Sequence, residues 1–449
     1  MLRAFVKTLR LAAIGVVGLG CSGDEKTLDR QALLDPESCK SCHQGHYEQW
    51  KGSMHAYAAD DPVFLAMNRR GQEETGGALG DFCVQCHAPM AVREGATFDG
   101  LNLEELPQHL KGVTCYFCHS VEAVEGSHNA PLRLAGDLKL RGAIADPVDN
   151  PAHHSAYSPL LDRDQMASSD LCGSCHDLVT PAGVHLERTF AEWKDTLFGN
   201  GSAGALSCGN CHMTGSQGLA ADFEGVKLRN VHDHRMPGVD VALTPWFDHD
   251  RHLEQVKAEL SGVVIAQICI APPEGPTEIE VVLENAFAGH MFPSGATQDR
   301  RAWVELVAYD ASDTVVFASG VVAEGEPVAD LADDHLWLLR DETFDAQGNV
   351  AHMFWDVASY ESELLPQAKT TDPTEVHAKS RTYTFSPASD VTRATLRVLM
   401  RPMGLEVLGD LVGSGHLDPA IVGQMPTFEV VHPIEWRLDV DGYGCKPKL

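Results

Sequence analysis

The sequence is poor in positive charge. Its 34 Lys and Arg residues are outnumbered by 64 Asp and Glu residues, which gives a formal net charge of −30 at pH 7. Such a balance repels polyanions, so nucleic acid and anionic membrane faces are excluded as principal partners. Beyond its first 20 residues the chain also lacks any segment apolar enough to cross a bilayer, which takes about 20 consecutive apolar residues.

The composition shows no bias towards collagen, coiled coil or disorder, because 44% of residues are hydrophobic and 22% are charged. A length of 449 residues exceeds what one compact core holds and predicts two or three domains. What is unusual is the presence of 13 cysteines and 22 histidines. A cytosolic enzyme rarely carries so many cysteines unless they hold metals or cofactors.

Residues 1–20 read as a signal for export. Arg3, Lys7 and Arg10 form a basic region before the apolar run 11–19, which is too short to span a membrane. Cys21 follows Gly20, as at a bacterial lipoprotein site, where this cysteine carries the lipid anchor. The alternative is ordinary signal-peptidase cleavage nearby. Either way we expect an exported protein, in the periplasm or as an outer-membrane or cell-surface lipoprotein.

Ten of the cysteines fall into five copies of C-x-x-C-H, the attachment signature of c-type haem. The copies are motif 1 (Cys39, Cys42, His43), motif 2 (Cys83, Cys86, His87), motif 3 (Cys115, Cys118, His119), motif 4 (Cys172, Cys175, His176) and motif 5 (Cys208, Cys211, His212). Two thiols at this spacing reach the two vinyl groups of one porphyrin edge, and the following histidine becomes the proximal iron ligand. The pattern therefore predicts five covalently bound haem c groups.

Other sites with paired cysteines fit this pattern less well. Zinc ribbons do not require a histidine after the second cysteine, and thioredoxin-like pairs occur singly. Structural disulfides would not repeat one spacing, and at the composition of this chain chance would give roughly 0.02 copies. Because the motifs are packed between Cys39 and His212, the haems should form much of the core and lie close enough for electrons to hop between them.

The sixth ligand of each iron has to come from the histidines outside the motifs. Residues 43–59 read as one helix, in which His55 lies about 18 Å from His43 at 1.5 Å per residue. Two ligands of one iron stand only about 4 Å apart, so His55 is expected to serve a neighbouring motif. His46, one turn from His43, is expected to be a packing or surface residue.

The remaining candidate ligands stand beside or beyond the motifs. They are His128 after motif 3, His154 of the pair His153-His154 before motif 4, His232 or His234 after motif 5, and His290 far downstream. Met54, Met90 and Met213 are alternative thioether ligands, but methionine in such positions is more often core filling.

Residues 36–180 resemble the multihaem cytochromes c related to the cytochrome c-554 electron carrier of ammonia-oxidising bacteria. The match is carried by motifs 1 to 4, with Tyr47 to Trp50, Ser53 to Ala56 and Gly112 to Thr114. The resemblance implies that His55 caps a haem other than its own, and that the haem of motif 2 has an open iron. Motif 5 departs from the family's four-haem pattern.

The sequence pattern changes from about residue 262. Short β-rich runs replace the motifs at 263–270, 279–283, 303–308, 315–318, 394–399 and 428–431. We therefore expect an α+β protein: a mostly helical or irregular multihaem domain (21–255) followed by an antiparallel β-sandwich-like domain (256–449). Cys269 and Cys445 form either a disulfide between the first and last strands or two free thiols.

The segment Asn285 to Trp303 contains Gly289-His-Met-Phe-Pro-Ser-Gly295, a stretch similar to one found beside haem domains in other multihaem proteins. Two readings stay open. The loop presents His290 to a haem, or it is a structural turn whose histidine binds the backbone.

The leading hypothesis is a pentahaem electron carrier of the bacterial envelope, exchanging electrons with redox proteins, basic ones or other cytochromes. The alternative is a multihaem oxidoreductase acting on a small nitrogen or sulfur species at a five-coordinate haem. No C-x-x-C-K motif, the variant of pentahaem nitrite reductases, is present, and no tyrosine crosslink of the hydroxylamine-oxidising type is marked. A docking role for the C-terminal domain is compatible with the first hypothesis.

Overall fold

The computed structural model describes residues 27–201, 204–272, 275–370, 377–385 and 390–446. The expected signal segment and Cys21 lie outside these residues. None of the helices in the described part of the chain is long and apolar enough to cross a membrane.

Short helices dominate the first hundred described residues. They are Arg30–Leu34, Glu37–Lys40, Gln44–Lys51, Met54–Tyr57, Pro62–Glu74, Val84–His87, Pro89–Arg93 and Cys115–Ser120, with 3₁₀ turns at Leu103–Glu105 and Gln108–Leu110. The expectation of a single helix over 43–59 is wrong in one respect, because the helix breaks at Gly52. Ser53 caps a new helix there by accepting a hydrogen bond from the Ala56 amide at 3.3 Å.

The rest of the motif region is less regular than expected from a helical domain. The further helices are Ser168–Gly173, Thr189–Lys194, Cys208–His212 and His249–Leu260. Between them lie two-stranded sheets: Val121–Val124 with Leu132–Leu134, Arg141–Gly142 with Ala156–Tyr157, Leu178–Val179 with His185–Glu187, and Gly215–Leu219 with Leu228–His232.

Two antiparallel sheets form the C-terminal region. In the first sheet the strands lie in the order Ala378–Phe385, Thr277–Asn285, Val264–Ile270, Gly444–Cys445. In the second sheet the order is Val315–Ser319, Arg301–Tyr309, Arg393–Arg401, Phe428–Arg437, and the strand Trp337–Leu339 also pairs with Arg301–Tyr309. Outside them lie the pair Asp341–Phe344 and Ser359–Ser362, the helices Leu405–Gly413 and Leu438–Asp441, and 3₁₀ turns at Val328–Asp330, Phe354–Asp356 and Pro419–Gln424. Each of the six β-rich runs lies mainly within one of these strands.

The alternation of buried and more accessible side chains along a strand explains how the two sheets pack together. In Thr277–Asn285 the side chains of Ile279, Val281 and Leu283 are buried and the intervening ones are more accessible, as a period of two residues requires. These residues share one hydrophobic cluster with Val304 and Leu396 of the second sheet. The expected α+β class is confirmed.

The C-terminal region also shares a core with the motif region. Val63 and Ala66 of helix Pro62–Glu74 pack in one cluster with Leu408 and Leu411 of helix Leu405–Gly413. Helix His249–Leu260 runs through the expected boundary at 255/256, and its Val256 and Leu260 belong to the cluster of the two sheets. The two regions are therefore packed directly against each other.

Cys269 and Cys445 form a disulfide that closes a loop with a sequence separation of 176 residues. It joins Val264–Ile270 to the terminal strand Gly444–Cys445, which pairs beside it in the first sheet. Of the two readings of these cysteines, the structure therefore supports the bridge.

We expect Cys445→Ser to destabilise the C-terminal region, since the bridge contributes about 4–5 kcal/mol to the free energy of unfolding in the chain-entropy model. Cys445 is exposed, so the substitution removes little packing. The thermal midpoint of the β-rich region, followed by circular dichroism, should fall by roughly 10 °C. Val440→Ser, at a side chain 73% exposed, is the matched control, and equal midpoints in both variants would contradict the prediction.

Candidate functional site

Each motif is wound into a single helical turn. The amides of His43, His87 and His176 donate to the carbonyl of the first cysteine of their motif at 2.8, 3.3 and 3.0 Å, while motifs 3 and 5 lie within helices. Residues i, i+3 and i+4 of a helix share one face, so both thiols and the imidazole point in the same direction. This is the arrangement that attachment to one porphyrin edge requires.

Backbone carbonyls fix the orientation of four motif histidines. The Nδ1 atoms of His43, His87, His119 and His212 donate to the carbonyls of Ala220, Ala58, Arg141 and Pro237 respectively. A carbonyl can only accept, so Nδ1 carries the proton and Nε2 keeps its lone pair. That tautomer is the one in which a histidine binds a metal through Nε2 with a fixed ring orientation.

His153 lies opposite the histidine of motif 1. The ring centroids of His43 and His153 are 6.1 Å apart, with an angle of 33° between the planes. His154, which was expected as the ligand, has φ +49° and turns outward towards Asp149, with its side chain 53% exposed. Of these two consecutive residues, the one whose ring lies near His43 is His153, because the left-handed backbone at His154 separates the two rings.

His234 lies opposite the histidine of motif 3. The rings of His119 and His234 are 6.4 Å apart and nearly parallel, at 14°. The Nδ1 of His234 donates to the carbonyl of His232 at 2.9 Å, so of the two candidates it is His234 that faces the motif. His46 packs on His234 with ring centroids 4.6 Å apart, which makes it a supporting residue.

His55 lies opposite the histidine of motif 4. Its ring is 6.1 Å from that of His176, at 85°. The chain before motif 3 packs on the backbone of His55, where the Val113 amide donates to the His55 carbonyl at 2.8 Å. Gly112 permits this approach, because it has φ +66° and a Cβ there would lie 2.5 Å from the same carbonyl oxygen.

His290 lies near the histidine of motif 5. Burial lowers its pKa to about 4, and the charge of His212 is among the further causes. Its Nδ1 donates to the Met291 carbonyl at 2.8 Å, so the histidine binds the backbone and still has Nε2 free. The two readings of this loop are thus compatible.

Hydrogen bonds hold the loop of His290 on the motif region. The carboxylate of Glu192 accepts from the Met291 amide at 3.2 Å and from the Ser294 hydroxyl at 2.6 Å. Arg300, at the end of the loop, donates to both carboxylate oxygens of Asp240 at 3.0 Å. The loop that carries His290 is therefore bound to the motif region through Glu192 and Asp240.

The histidine of motif 2 has different surroundings. Phe64 stacks on His87 with ring centroids 4.0 Å apart and planes within 2°. Within the described part of the chain, no second histidine ring is found facing His87. His128, expected as a ligand, is exposed and lies 6.4 Å from His185, which is not a motif residue.

The opposed rings are spaced as two ligands of one iron must be. Metal–nitrogen bonds of about 2 Å place the two nitrogens about 4 Å apart and the ring centroids about 6 Å apart. Across the described residues no group of three or more His, Cys, Asp or Glu side chains could hold a bare metal ion. The residues fit a porphyrin-bound iron instead, for which the protein supplies only the axial ligands.

These side chains line an interior space. Burial lowers the pKa of both His55 and His153 to about 4, yet each keeps accessible surface. All ten motif cysteines are free of disulfides and also keep accessible surface. A neutral imidazole is the form that ligates iron, so this environment suits the expected cofactor. Met90, by contrast, is fully buried in a hydrophobic cluster, as core filling would be.

Thiols of different motifs lie side by side. The neighbouring pairs are Cys39 with Cys115 (motifs 1 and 3), Cys175 with Cys86 (motifs 4 and 2) and Cys208 with Cys172 (motifs 5 and 4). In each pair, interaction with the second thiol lowers the pKa of the cysteine named first. Cys118 of motif 3 also lies near Cys175. Burial is the main cause that raises the pKa of Cys118, and the charge of Cys175 raises it further. Motif 4 therefore adjoins motifs 2, 3 and 5, and motif 1 is reached through motif 3.

We expect His153→Ala to convert the haem of motif 1 from low spin to high spin, because the iron loses its second nitrogen ligand. The measurement is electron paramagnetic resonance of the oxidised protein, with one low-spin signal replaced by a high-spin one. His154→Ala is the matched control and should leave the spectrum unchanged. A spectral change in the His154 variant alone would restore His154 as the ligand.

Comparison with known proteins agrees with this geometry. Residues 38–120 match the family described as cytochrome c554 and c-prime. The fold is similar to that of a penta-heme cytochrome c552 from Thermochromatium tepidum, with a TM-score of 0.63 and 22% identity over 90% of this chain and 99% of that one. No curated protein matches the chain. Residues 38–120 are thus similar to this cytochrome family, and the fold of the chain is similar to that of a penta-heme cytochrome.

Proposed function

We propose that the protein is a pentahaem electron carrier that passes single electrons between redox partners in the bacterial envelope. One observation carries the proposal: the motifs are neighbours in space. Cys83, Cys118 and Cys175 of motifs 2, 3 and 4 pack on one hydrophobic cluster, and the Cys208 amide of motif 5 donates to Ser169, just before motif 4, at 3.1 Å. The rings of His46 and His234 lie between His43 of motif 1 and His119 of motif 3. When bound, haem c supplies reversible one-electron chemistry at its iron. Adjacent attachment sites are what a carrier needs in order to move electrons through its interior.

The residues of the chain offer a second ligand at four of the five sites. His153, His234, His55 and His290 would complete the sites of motifs 1, 3, 4 and 5 in turn. A pair of neutral histidines leaves no iron position for an exogenous ligand. Four sites of this kind favour electron transfer over chemistry on a substrate.

The order of contacts suggests a branched path. Motif 4 stands at the junction, with motif 3 leading on to motif 1, and with motifs 2 and 5 on separate branches. Electrons entering at one end of this arrangement can leave at another. The protein is therefore suited to connect two partners that bind at different faces.

The location and partners follow from the charge and the N-terminus. We infer export from residues 1–20 and attachment through Cys21 to the periplasmic or outer membrane, or to the cell surface. A net charge of −30 favours basic redox partners through electrostatic steering, although other cytochromes also fit the role. We infer that the C-terminal region, with its sandwich-like pair of sheets, supplies His290 as a ligand near motif 5.

A second candidate function rests on motif 2. His87 faces no second histidine within the described residues, and its ring is packed against Phe64. An iron held only by His87 would be open to a small molecule such as nitrite or hydroxylamine. The protein would then be an oxidoreductase whose other four sites feed that iron.

Electron paramagnetic resonance of the oxidised protein separates these functions. We expect four low-spin ferric signals and one high-spin signal, because only motif 2 lacks an opposed histidine. The carrier predicts that the high-spin signal is unchanged by nitrite or hydroxylamine, whereas the oxidoreductase predicts that it responds. Five low-spin signals would exclude the oxidoreductase and leave the carrier intact. Two or more high-spin signals would contradict the proposed ligand pairs.

A further inference from the structure

Two large apolar side chains lie exposed on one short loop. Phe98 is 69% exposed and Leu101 is 50% exposed. The loop that carries them lies between the helix Pro89–Arg93 and the 3₁₀ turn Leu103–Glu105. A single exposed apolar residue is common on protein surfaces, whereas two that stand together indicate a contact site.

The loop is held firmly on motif 2. Gly100 has φ +73°, and a Cβ there would lie 2.2 Å from the side chain of Val84, which stands between the two cysteines of the motif. The buried Gln72 ties the loop to the chain just before the motif, because its Nε2 donates to the Asp99 carbonyl at 3.2 Å and to the Gly80 carbonyl at 2.6 Å. The loop therefore presents its two apolar side chains at a fixed position beside motif 2.

A cavity of about 420 Å³ opens next to this loop. It lies between the helix Pro62–Glu74 of the motif region and the chain that follows the helix Leu405–Gly413 of the C-terminal region. The residues that give the cavity its chemistry are Arg69, Gln72, Glu73, Asp99, Leu101 and His416. Both regions thus contribute to the same surface feature.

The hydrogen-bond donors of the cavity are already engaged. Arg69 donates to Glu104 at 2.9 Å, and the Nε2 of His416 donates to the Glu73 carboxylate at 3.0 Å. Among the described residues the Oε1 of Gln72 accepts no hydrogen bond. A carboxylate has about four acceptor positions, so Glu73 also keeps free ones. A group that enters this cavity therefore has to donate hydrogen bonds.

The charge beside the loop has the same sign as that of the whole chain. The carboxylates of Glu73, Asp99 and Glu104 stand against the single guanidinium of Arg69. An apolar centre with a charged rim is the usual anatomy of a protein–protein contact. Electrostatic complementarity requires a partner with a basic rim, and a lysine ammonium, which has three donors and no acceptor, matches the cavity.

We propose that Phe98, Leu101 and the adjoining cavity form a docking site at which a lysine-rich redox protein meets motif 2. The two apolar side chains contact an apolar patch of the partner, and one of its lysines donates to acceptors in the cavity. One electron then passes between the partner's cofactor and the haem of motif 2, so that one is oxidised as the other is reduced. The inference rests on the proposed electron-carrier function.

The apolar centre is tested by the rate of electron transfer between proteins. Reduced holoprotein is mixed in a stopped-flow instrument with an oxidised, small, lysine-rich c-type cytochrome as the probe. We expect Leu101→Ser to lower the second-order rate constant roughly fivefold, as for the loss of a contact at the centre of an interface. Val440→Ser, at a side chain 73% exposed, is the matched control and should react like the wild type.

The charged rim is tested with Asp99→Asn in the same experiment. Asparagine keeps an oxygen for the hydrogen bond from the Leu101 amide, which Asp99 accepts at 3.0 Å, and removes only the charge. We expect a rate constant lowered about threefold at low ionic strength, with the difference lost at high salt. Glu278→Gln, at an exposed carboxylate on the strand Thr277–Asn285, carries the same change of charge and should have no effect.

Three results would overturn the inference. One is equal rate constants in the variants and their controls. Another is a change in the oligomeric state of Leu101→Ser, measured by sedimentation, which would assign the surface to contact with a second copy of the chain. The third is loss of haem absorption in Phe98→Ser, which would assign Phe98 to packing against the cofactor.

Reoxidation of the reduced holoprotein by ferricyanide separates this inference from the proposed function. A protein that gives its electrons to ferricyanide, while its variants all react alike with the probe, would contradict the docking site alone. Failure to exchange electrons with ferricyanide would contradict the carrier itself.

Discussion

The structure depends on one requirement, that a histidine must present a neutral Nε2 to the interior while its Nδ1 proton is held by a carbonyl. Four motif histidines and two of the opposed ones, His234 and His290, meet it through backbone acceptors. The acceptors are supplied by short loops and two-residue strands. This explains why the motif region is irregular, because long helices would have kept these carbonyls for themselves.

The C-terminal region takes part in this arrangement. Its loop is bound to the motif region through Glu192 and Asp240. The ion pair between Arg300 and Asp240 anchors the end of this loop. Cofactor coordination and the packing of the two regions are thus linked through the same few residues.

Much of this could be predicted from local pattern. The C-x-x-C-H spacing is a property of one helical turn, and the strands showed the alternation that a half-buried sheet needs. The identity of the opposed histidines depends on long-range contacts and backbone twist. His153 and His154 are adjacent in sequence, and only the left-handed φ at His154 decides which one faces His43.

We propose that the five motifs, each shaped as a helical turn with a pair of thiols outside any disulfide, carry five covalent haems in one continuous assembly. Intact-mass spectrometry of the protein, produced in a host that attaches haem c, measures this directly. We expect the mass of the polypeptide plus five haems. After loosely bound haem has been removed, no form with fewer than five haems should remain. A fully processed protein with four haems or fewer would contradict the account.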